Sequence, residues 1–245
     1  TNKTSLPIGV LRLLNNPIVK KRNLAEYIKK LLREEKWLSK KKFNNLYLVG
    51  GTWRALFKLH LFQNNHPVHI IHQYSIDNNV LSKFVEKISS FNKSKLKTVE
   101  YISKSRTAYL PYSCIILDEI MRVTNPRNII CSISGLREGS LSIDYFKDVK
   151  ESEIFHKALE NIAKKRGDLG SNYKKYYDFI QPVFEGNEHF NKKLLYLACV
   201  LSHMDWGLGA FQKAELVFQE TINTPLLRLT PVSYTHLRAH ETRFY

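Results

Sequence analysis

Apolar positions along this chain change period more than once, and the changes mark out its organisation. NLYLV, Asn45 to Val49, is a β-rich run ending on Gly50; after Gly51 the period lengthens, with Trp53, Leu56, Phe57 and Leu59 falling on one helical face and Thr52 placed to cap that helix. Before it come a β-rich run, LPIGVLRL, and an amphipathic stretch from Asn23 to Leu38. After it PVHIIHQYSI reads as a strand, Asp77 to Phe91 and Thr107 to Val123 as helices, and Asn128 to Ile133 as a β-branched strand ending at Gly135. From about Ser152 only helical periods remain, broken near Gly167 to Gly170, Gly186 and Gly207 to Gly209. The pattern is that of an α/β unit, residues 1–147, followed by an all-helical one, residues 148–230.

The last segment stands apart. PVSYTHLRAHET, Pro231 to Thr242, matches the translation of a transposase sequencing adapter in one reading frame, so residues 231–245 are read as a non-native tail and left out of the fold. The native sequence is then expected to be cut near Thr230.

Composition narrows the picture only a little. A chain of 245 residues with 43% hydrophobic content buries a sizeable core, as one large domain or two small ones. No run approaches the roughly 18 apolar residues of a membrane span, and TNKTSLPIGV lacks the order of a signal peptide, so a cytoplasmic protein without membrane partners is expected. Cys114, Cys131 and Cys199 lie far apart inside apolar runs, without CxxC metal spacing or a disulfide framework. A net charge of +16 attracts polyanions of any kind, nucleic acid, membrane surface or polyphosphate. Much of the lysine lies in solvent-facing stretches such as KKFNN and FNKSKLK, a bias that an AT-rich genome also produces.

Candidate chemistry sits at two strand ends, NLYLVGGTWRAL around Gly50 and Gly51, and IICSISGLREG around Gly135 and Gly139. In open α/β sheets ligands collect at the carboxyl ends of strands, where glycine lets backbone approach and the next helix points its amides outward. Arg54, Arg106 and Arg137 add guanidinium forks suited to phosphate oxygens. A lone glycine pair after a strand is more often a tight turn.

At these residues the sequence resembles the Ppx/GppA family, the exopolyphosphatases and guanosine pentaphosphate phosphatases. SLPIGVLRL, LYLVGGTWRALFKLH, HPVHIIHQYSI, SRTAYLPYSCIIL and ISGLREGSL follow in the order and spacing of the second half of such proteins, and YLACVLSHMDWGLGAFQKAELVFQETIN is similar to their C-terminal HD-like helical domain. The resemblance covers Ser5 to Thr224. It implies an actin/hexokinase-like (ASKHA, ribonuclease H-like) second domain and a truncated helical domain. It also implies Mg²⁺-assisted removal of the terminal phosphate of polyphosphate or the 5′ phosphate of pppGpp, and a homodimeric parent. Phosphate or nucleotide contacts then fall on Gly50, Gly51, Thr52, Arg54, Arg106, Gly135 and Arg137, with the Gly135 to Gly139 turn closing the sheet and Arg137 and Glu138 as an alternative ion pair.

The resemblance also says what to expect absent. The DxGSN-type phosphate loop, the catalytic glutamate and the GGGS loop of the family all precede the SLPxGxxRL segment, so no catalytic base and no Mg²⁺ ligand is assigned here, and the chain alone is expected to be inactive. Glu34, Glu35, Glu119 and Glu138 sit on helical periods or a turn, where a solvated face or salt bridge is the ordinary role. His60, His66, His69 and His72 invite a metal reading, but on a strand His69 and His72 project to opposite faces, and a structural or cleft-lining role is preferred. His203 and Asp205 are separated by Met204, where an HD metal motif needs them adjacent; Trp206 is followed by GLGAFQKA instead of the family's His-Pro turn, leaving Lys213 as a substitute cation. Tyr173, Tyr176, Tyr177 and Phe179 fall at helical spacing as core. Two other readings remain: a non-catalytic sensor of (p)ppGpp or polyphosphate, and a basic nucleic-acid-binding protein, with no specific nucleic-acid partner indicated.

Overall fold

The computed structural model describes residues 2–16, 20–91, 103–150, 153–165, 172–184, 192–202, 219 and 230–233. The FNKSKLK lysines, the histidine and aspartate of SHMDW, Lys213 and most of the adapter-like tail fall outside them. The chain divides into two compact units, Thr1–Gly135 and Leu136–Tyr245.

The first unit opens with helix α1 (Val10–Leu14), a 3-10 turn at Lys21–Asn23, α2 (Leu24–Glu34) and α3 (Lys36–Lys40). LPIGVLRL is therefore not a strand: Gly9 ends the extended part and Val10 begins a helix. The amphipathic stretch is helical as its period requires, burying Leu24, Ile28 and Leu32 at i, i+4 and i+8.

Strand β1 (Asn45–Val49) runs through Gly50 into α4 (Gly51–Gln63), and after a connection β2 (Tyr74–Asp77) runs directly into α5 (Asn78–Ser89). Asp77 caps α5, its carboxylate accepting from the Asn79 amide at 2.8 Å. The short α6 (Lys104–Thr107) leads to α7 (Leu110–Thr124) and then to β3 (Asn128–Ser132). PVHIIHQYSI is strand only over its last part. Gln73 has φ +57°, which breaks the extended run, and its amide donates to Cys131 O at 2.9 Å, so regular pairing starts at Tyr74.

Among the described residues the sheet has three strands in the order β1-β3-β2, β1 parallel and β2 antiparallel to β3. The register makes two cross-strand rows on one face, Leu46–Ile129–Ile76 and Leu48–Cys131–Tyr74. These rows meet Leu56, Phe57 and Leu61 of α4, Leu81, Val85 and Ile88 of α5 and Leu110, Cys114, Leu117 and Met121 of α7 in one core. Full burial of aliphatic and aromatic side chains at about 25 cal/mol per Å² drives this packing. A second cluster joins Leu13, Leu24, Ile28 and Leu32 to Ile116 on another side of α7. Being buried on two sides explains why α7 reads as densely apolar, with its charged positions confined to Asp118, Glu119 and Arg122.

The second unit is helical wherever it is described: α8 (Leu136–Tyr145), α9 (Ile154–Lys165), α10 (Asn172–Ile180) running into a 3-10 turn at Gln181–Phe184, and α11 (Lys192–Ser202). The segment from Gly135 to Gly139 is therefore the start of a helix and not a turn. Tyr173 is buried, as expected of a core residue, but Phe179 is 84% exposed and Tyr176 is also exposed.

Candidate functional site

Gly50 has φ +141° and ψ +159°, a region open in practice only to glycine, because any Cβ there meets its own backbone. This conformation turns the chain from the end of β1 straight into α4. Gly50 serves as N-cap with its carbonyl accepting from the Arg54 amide at 3.1 Å, and no side chain caps the helix. Thr52, expected as the cap, lies instead inside the first turn. Such a start leaves the first amides of a 13-residue helix without intrahelical partners, at the positive end of its dipole.

One guanidinium group packs on that end, and a second arginine follows one turn into the helix. Arg106, from α6, lies against the Cα of Gly51: a Cβ placed on Gly51 would sit 3.0 Å from Arg106 Nη2 and 3.1 Å from its Cζ. Glycine at 51 is thus what lets the cation approach the helix start. Arg54, one turn into α4, has its Nε buried without an acceptor among the described residues. An orphaned donor on a charged group costs about 1–3 kcal/mol or more and calls for an explanation. Arg54 also lies close enough to β3 to oppose the burial that pushes the Cys131 thiol up to about 12.

The corner opens on a groove of about 610 Å³ whose walls are Ile8 to Arg12, Gly50 to Trp53, and Tyr109, Ser113, Ile116 and Ile120 of the α7 region. Ser113 is buried and donates to Tyr109 O at 3.1 Å, so its hydroxyl is already satisfied. No Asp or Glu lines the groove, and among the described residues no group of three or more His, Cys, Asp or Glu side chains is placed to hold a metal ion. The described residues of this groove therefore do not fit a Mg²⁺ site, and no step is routed through one.

Of the candidate residues, Gly50, Gly51, Thr52 and Arg106 come together, while Arg54 follows one turn into α4 with its charge close to Cys131 of β3. Gly135 follows β3, whose parallel pairing with β1 (Val49 opposite Ser132) brings both strand ends to one edge of the sheet. The turn after β3 is held by polar side chains: the Ser132 hydroxyl donates to Ser134 O at 3.0 Å and accepts from its amide at 3.1 Å. Arg137 belongs to the second unit, exposed on the first turn of α8.

His60, His69 and His72 make contacts within the fold. His72 is buried and accepts from the Ile133 amide at 3.4 Å, pinning the end of β3, while His69 is exposed and its ring lies 4.1 Å from that of Phe62. His60 bonds to the Tyr74 hydroxyl at 3.0 Å through Nδ1. Burial holds both His60 and His72 below the ordinary histidine range, with His66 adding to the effect on His60. Glu119 is more buried than a solvated helix face would make it, and burial raises its carboxyl. The groove wall on α7 was missed from sequence, although Tyr109, Ser113, Ile116 and Ile120 recur at helical spacing one position before the core stripe Leu110, Cys114, Leu117 and Met121.

Fold and corner together define an α/β domain whose parallel strand pair ends beside a glycine-started helix with an arginine packed on its first turn. The chain belongs to the Ppx/GppA phosphatase family, whose model matches residues 1–145. A solved Ppx/GppA family member from Aquifex aeolicus is 21% identical with a TM-score of 0.47, the match covering 60% of this chain and 50% of that one. A second structure of an Aquifex aeolicus PPX-GPPA enzyme gives 21% and 0.45, over 56% of this chain and 48% of that one. An exopolyphosphatase-like protein gives 11% and 0.44, over 58% and 49%. The chain spans about half the length of these structures. A search of curated proteins returned no match.

Proposed function

We propose that this chain is the second, actin-like α/β domain and part of the HD-like helical domain of a phosphoanhydride hydrolase acting on the terminal phosphate of polyphosphate or the 5′ phosphate of pppGpp. The reading rests on the family match and on one observation, the buried Nε of Arg54, one turn into the uncapped helix α4, without an acceptor among the described residues. In this reading phosphate oxygens take the first amides of α4, Arg54 completes its hydrogen bonding on the same anion, and Arg106 closes over Gly51 from outside. Gly135 is assigned to the phosphate-side end of the same domain, while Arg137 belongs to the second unit. These groups bind and orient; no water-activating carboxylate and no Mg²⁺ ligand is assigned among the described residues.

A second reading, a non-catalytic sensor of (p)ppGpp or polyphosphate, is favoured by the groove's lack of any carboxylate. Two measurements separate the possibilities. Calorimetric titration with tripolyphosphate is expected to show saturable binding that Arg54→Met weakens by about tenfold or more, the value of one charge-assisted hydrogen bond. Phosphate release from polyphosphate and pppGpp with Mg²⁺ present is expected to be nil for this chain. Measurable turnover by the purified chain overturns the assignment of the catalytic carboxylate elsewhere.

A further inference from the structure

We infer that His72 is a pH-sensitive latch, which holds the entry of β2 against the exit of β3 while its ring is neutral and releases it on protonation. Antiparallel pairing of the two strands sets the geometry. β2 begins with Tyr74 opposite Cys131, so the residues before β2 lie beside those that follow β3. His72 reaches across this end, and its Nδ1 accepts from the Ile133 amide at 3.4 Å. Accepting there requires a bare Nδ1, with the ring's single proton on Nε2. A second proton turns Nδ1 into a donor that faces another donor, and the contact becomes repulsive.

The segment carrying the latch is held away from its preferred backbone. Ile71 to Tyr74 form a tight turn, closed by the Tyr74 amide on Ile71 O at 3.2 Å. His72 and Gln73 stand at its corner, and Gln73 has φ +57°, a conformation uncommon for a residue with a side chain. Two bonds to the β3 segment keep it there, the Gln73 amide on Cys131 O at 2.9 Å and His72 on Ile133. Loss of the second removes one of the two restraints on a strained residue, whose sequence context, PVHIIHQYSI, favours extended chain.

The surroundings favour the neutral ring. His72 is buried, and Ile71 beside it lies in the main core with α4, α5 and α7. On α4 the charged and titratable groups are Arg54, Lys58 and His60, on the connection to β2 they are His66 and His69, and β3 offers the Cys131 thiol, which burial keeps neutral. Neither α4, nor residues 64–73, nor Asn128 to Gly135 contain an aspartate or glutamate. The carboxylates of the other elements are engaged or turned outward: Asp77 caps α5 at the far end of β2, Glu86 is exposed on α5, Asp118 pairs with Arg122 at 2.9 Å, and Glu119 feels Arg122 and Lys29. A proton on His72 therefore meets no compensating anion on these elements, and burial holds the ring below its ordinary value of 6.5. The released ring takes up a proton more readily than the latched one, so the latch is fully favoured above pH 6.5 and weakens as pH falls toward the latched value. The inference does not depend on the phosphate reading of the Gly50 corner.

The test follows the full chain by NMR from about pH 7.5 to about pH 5, the range in which histidine titrates. The Ile133 amide and the His72 ring are expected to shift with one shared midpoint below 6.5, and the ring nitrogens to show the proton on Nε2 above it. Protection of the Ile133 amide from hydrogen exchange is expected to fall by about tenfold per pH unit below 6.5, the slope of a single proton. His72→Gln offers an acceptor that does not titrate and is expected to abolish the Ile133 shift, whereas His60→Gln is expected to leave it in place. An Ile133 amide that ignores the titration of His72, a proton found on Nδ1 at neutral pH, or a shift that survives His72→Gln overturns the proposal. The first two are read on the parent chain, so they decide the matter even where a variant fails to fold.

Discussion

Two strands end at the same edge of one sheet, and their exits differ. β1 leaves through Gly50 in a backbone conformation reserved for glycine, into a helix that buries Ala55, Leu56, Phe57, Leu59 and Leu61 in the main core. β3 leaves through a turn held by Ser132, Ser134 and His72, into a helix whose Leu136, Leu141 and Ile143 are 89%, 69% and 73% exposed. Both carry the same signal in the sequence, an apolar run, a glycine and an arginine shortly after. At the first the glycine adopts a backbone conformation that other residues rarely take, and a guanidinium is packed on the backbone next to it. A strand-glycine-arginine pattern thus gains meaning when the helix behind it is anchored, because anchoring fixes the amides that an anion would meet.

Substitutions at the two exits should differ in a graded way. Phe57→Ala, behind the first corner, is expected to cost about 3–5 kcal/mol in urea unfolding, since the ring is fully buried. Leu141→Ala on the exposed helix is expected to stay within about 0.5 kcal/mol. Gly50→Ala forces a Cβ into φ +141° and is expected to cost about 1–3 kcal/mol, measured the same way.

Gly51→Ala probes the first exit without removing any charge. Alanine improves helix propensity by about 0.5–1 kcal/mol, while its Cβ displaces the Arg106 guanidinium from 3.0 Å. The expected outcome is unchanged or higher stability together with weaker tripolyphosphate binding.

The smallest effect is one of pH. Burial lowers His60 and His72 in the folded state relative to the ordinary value of 6.5, so the unfolded chain takes up protons first as pH falls. Their contribution to stability is full above pH 6.5 and is lost as pH drops below it toward the folded values. Urea midpoints followed from pH 7.5 to 5.5 (roughly the range in which histidine titrates) should fall, and His60→Gln should flatten the decline.

How much of this was legible in the sequence depended on how local the cause was. β1, Gly50 and α4 could be read directly, because alternation, a glycine corner and helical spacing are encoded within a few neighbouring residues. β2 could not be read in full: whether Val68 to His72 extends is decided by the Ile133 amide binding His72 and by Gln73 adopting φ +57°, interactions made with a strand far along the chain. Arg106 was a candidate from its guanidinium and from the family resemblance; its approach to Gly51 needs α6 folded back on α4. Glu119 looked like a solvated face because its sequence neighbours are Asp118 and Arg122, while its burial comes from α2 packed on α7.

Phosphate binding at the start of α4 is the point on which the functional reading stands. It can be followed through the amide chemical shifts of Gly51, Thr52 and Trp53, recorded by NMR as tripolyphosphate is added. These amides are expected to move together and saturate, the Arg54 side chain Nε–H is expected to shift with them, and Arg54→Met is expected to remove the response. Shifts confined to exposed lysines, with the three amides unmoved at saturation, would rule out a phosphate site at this corner.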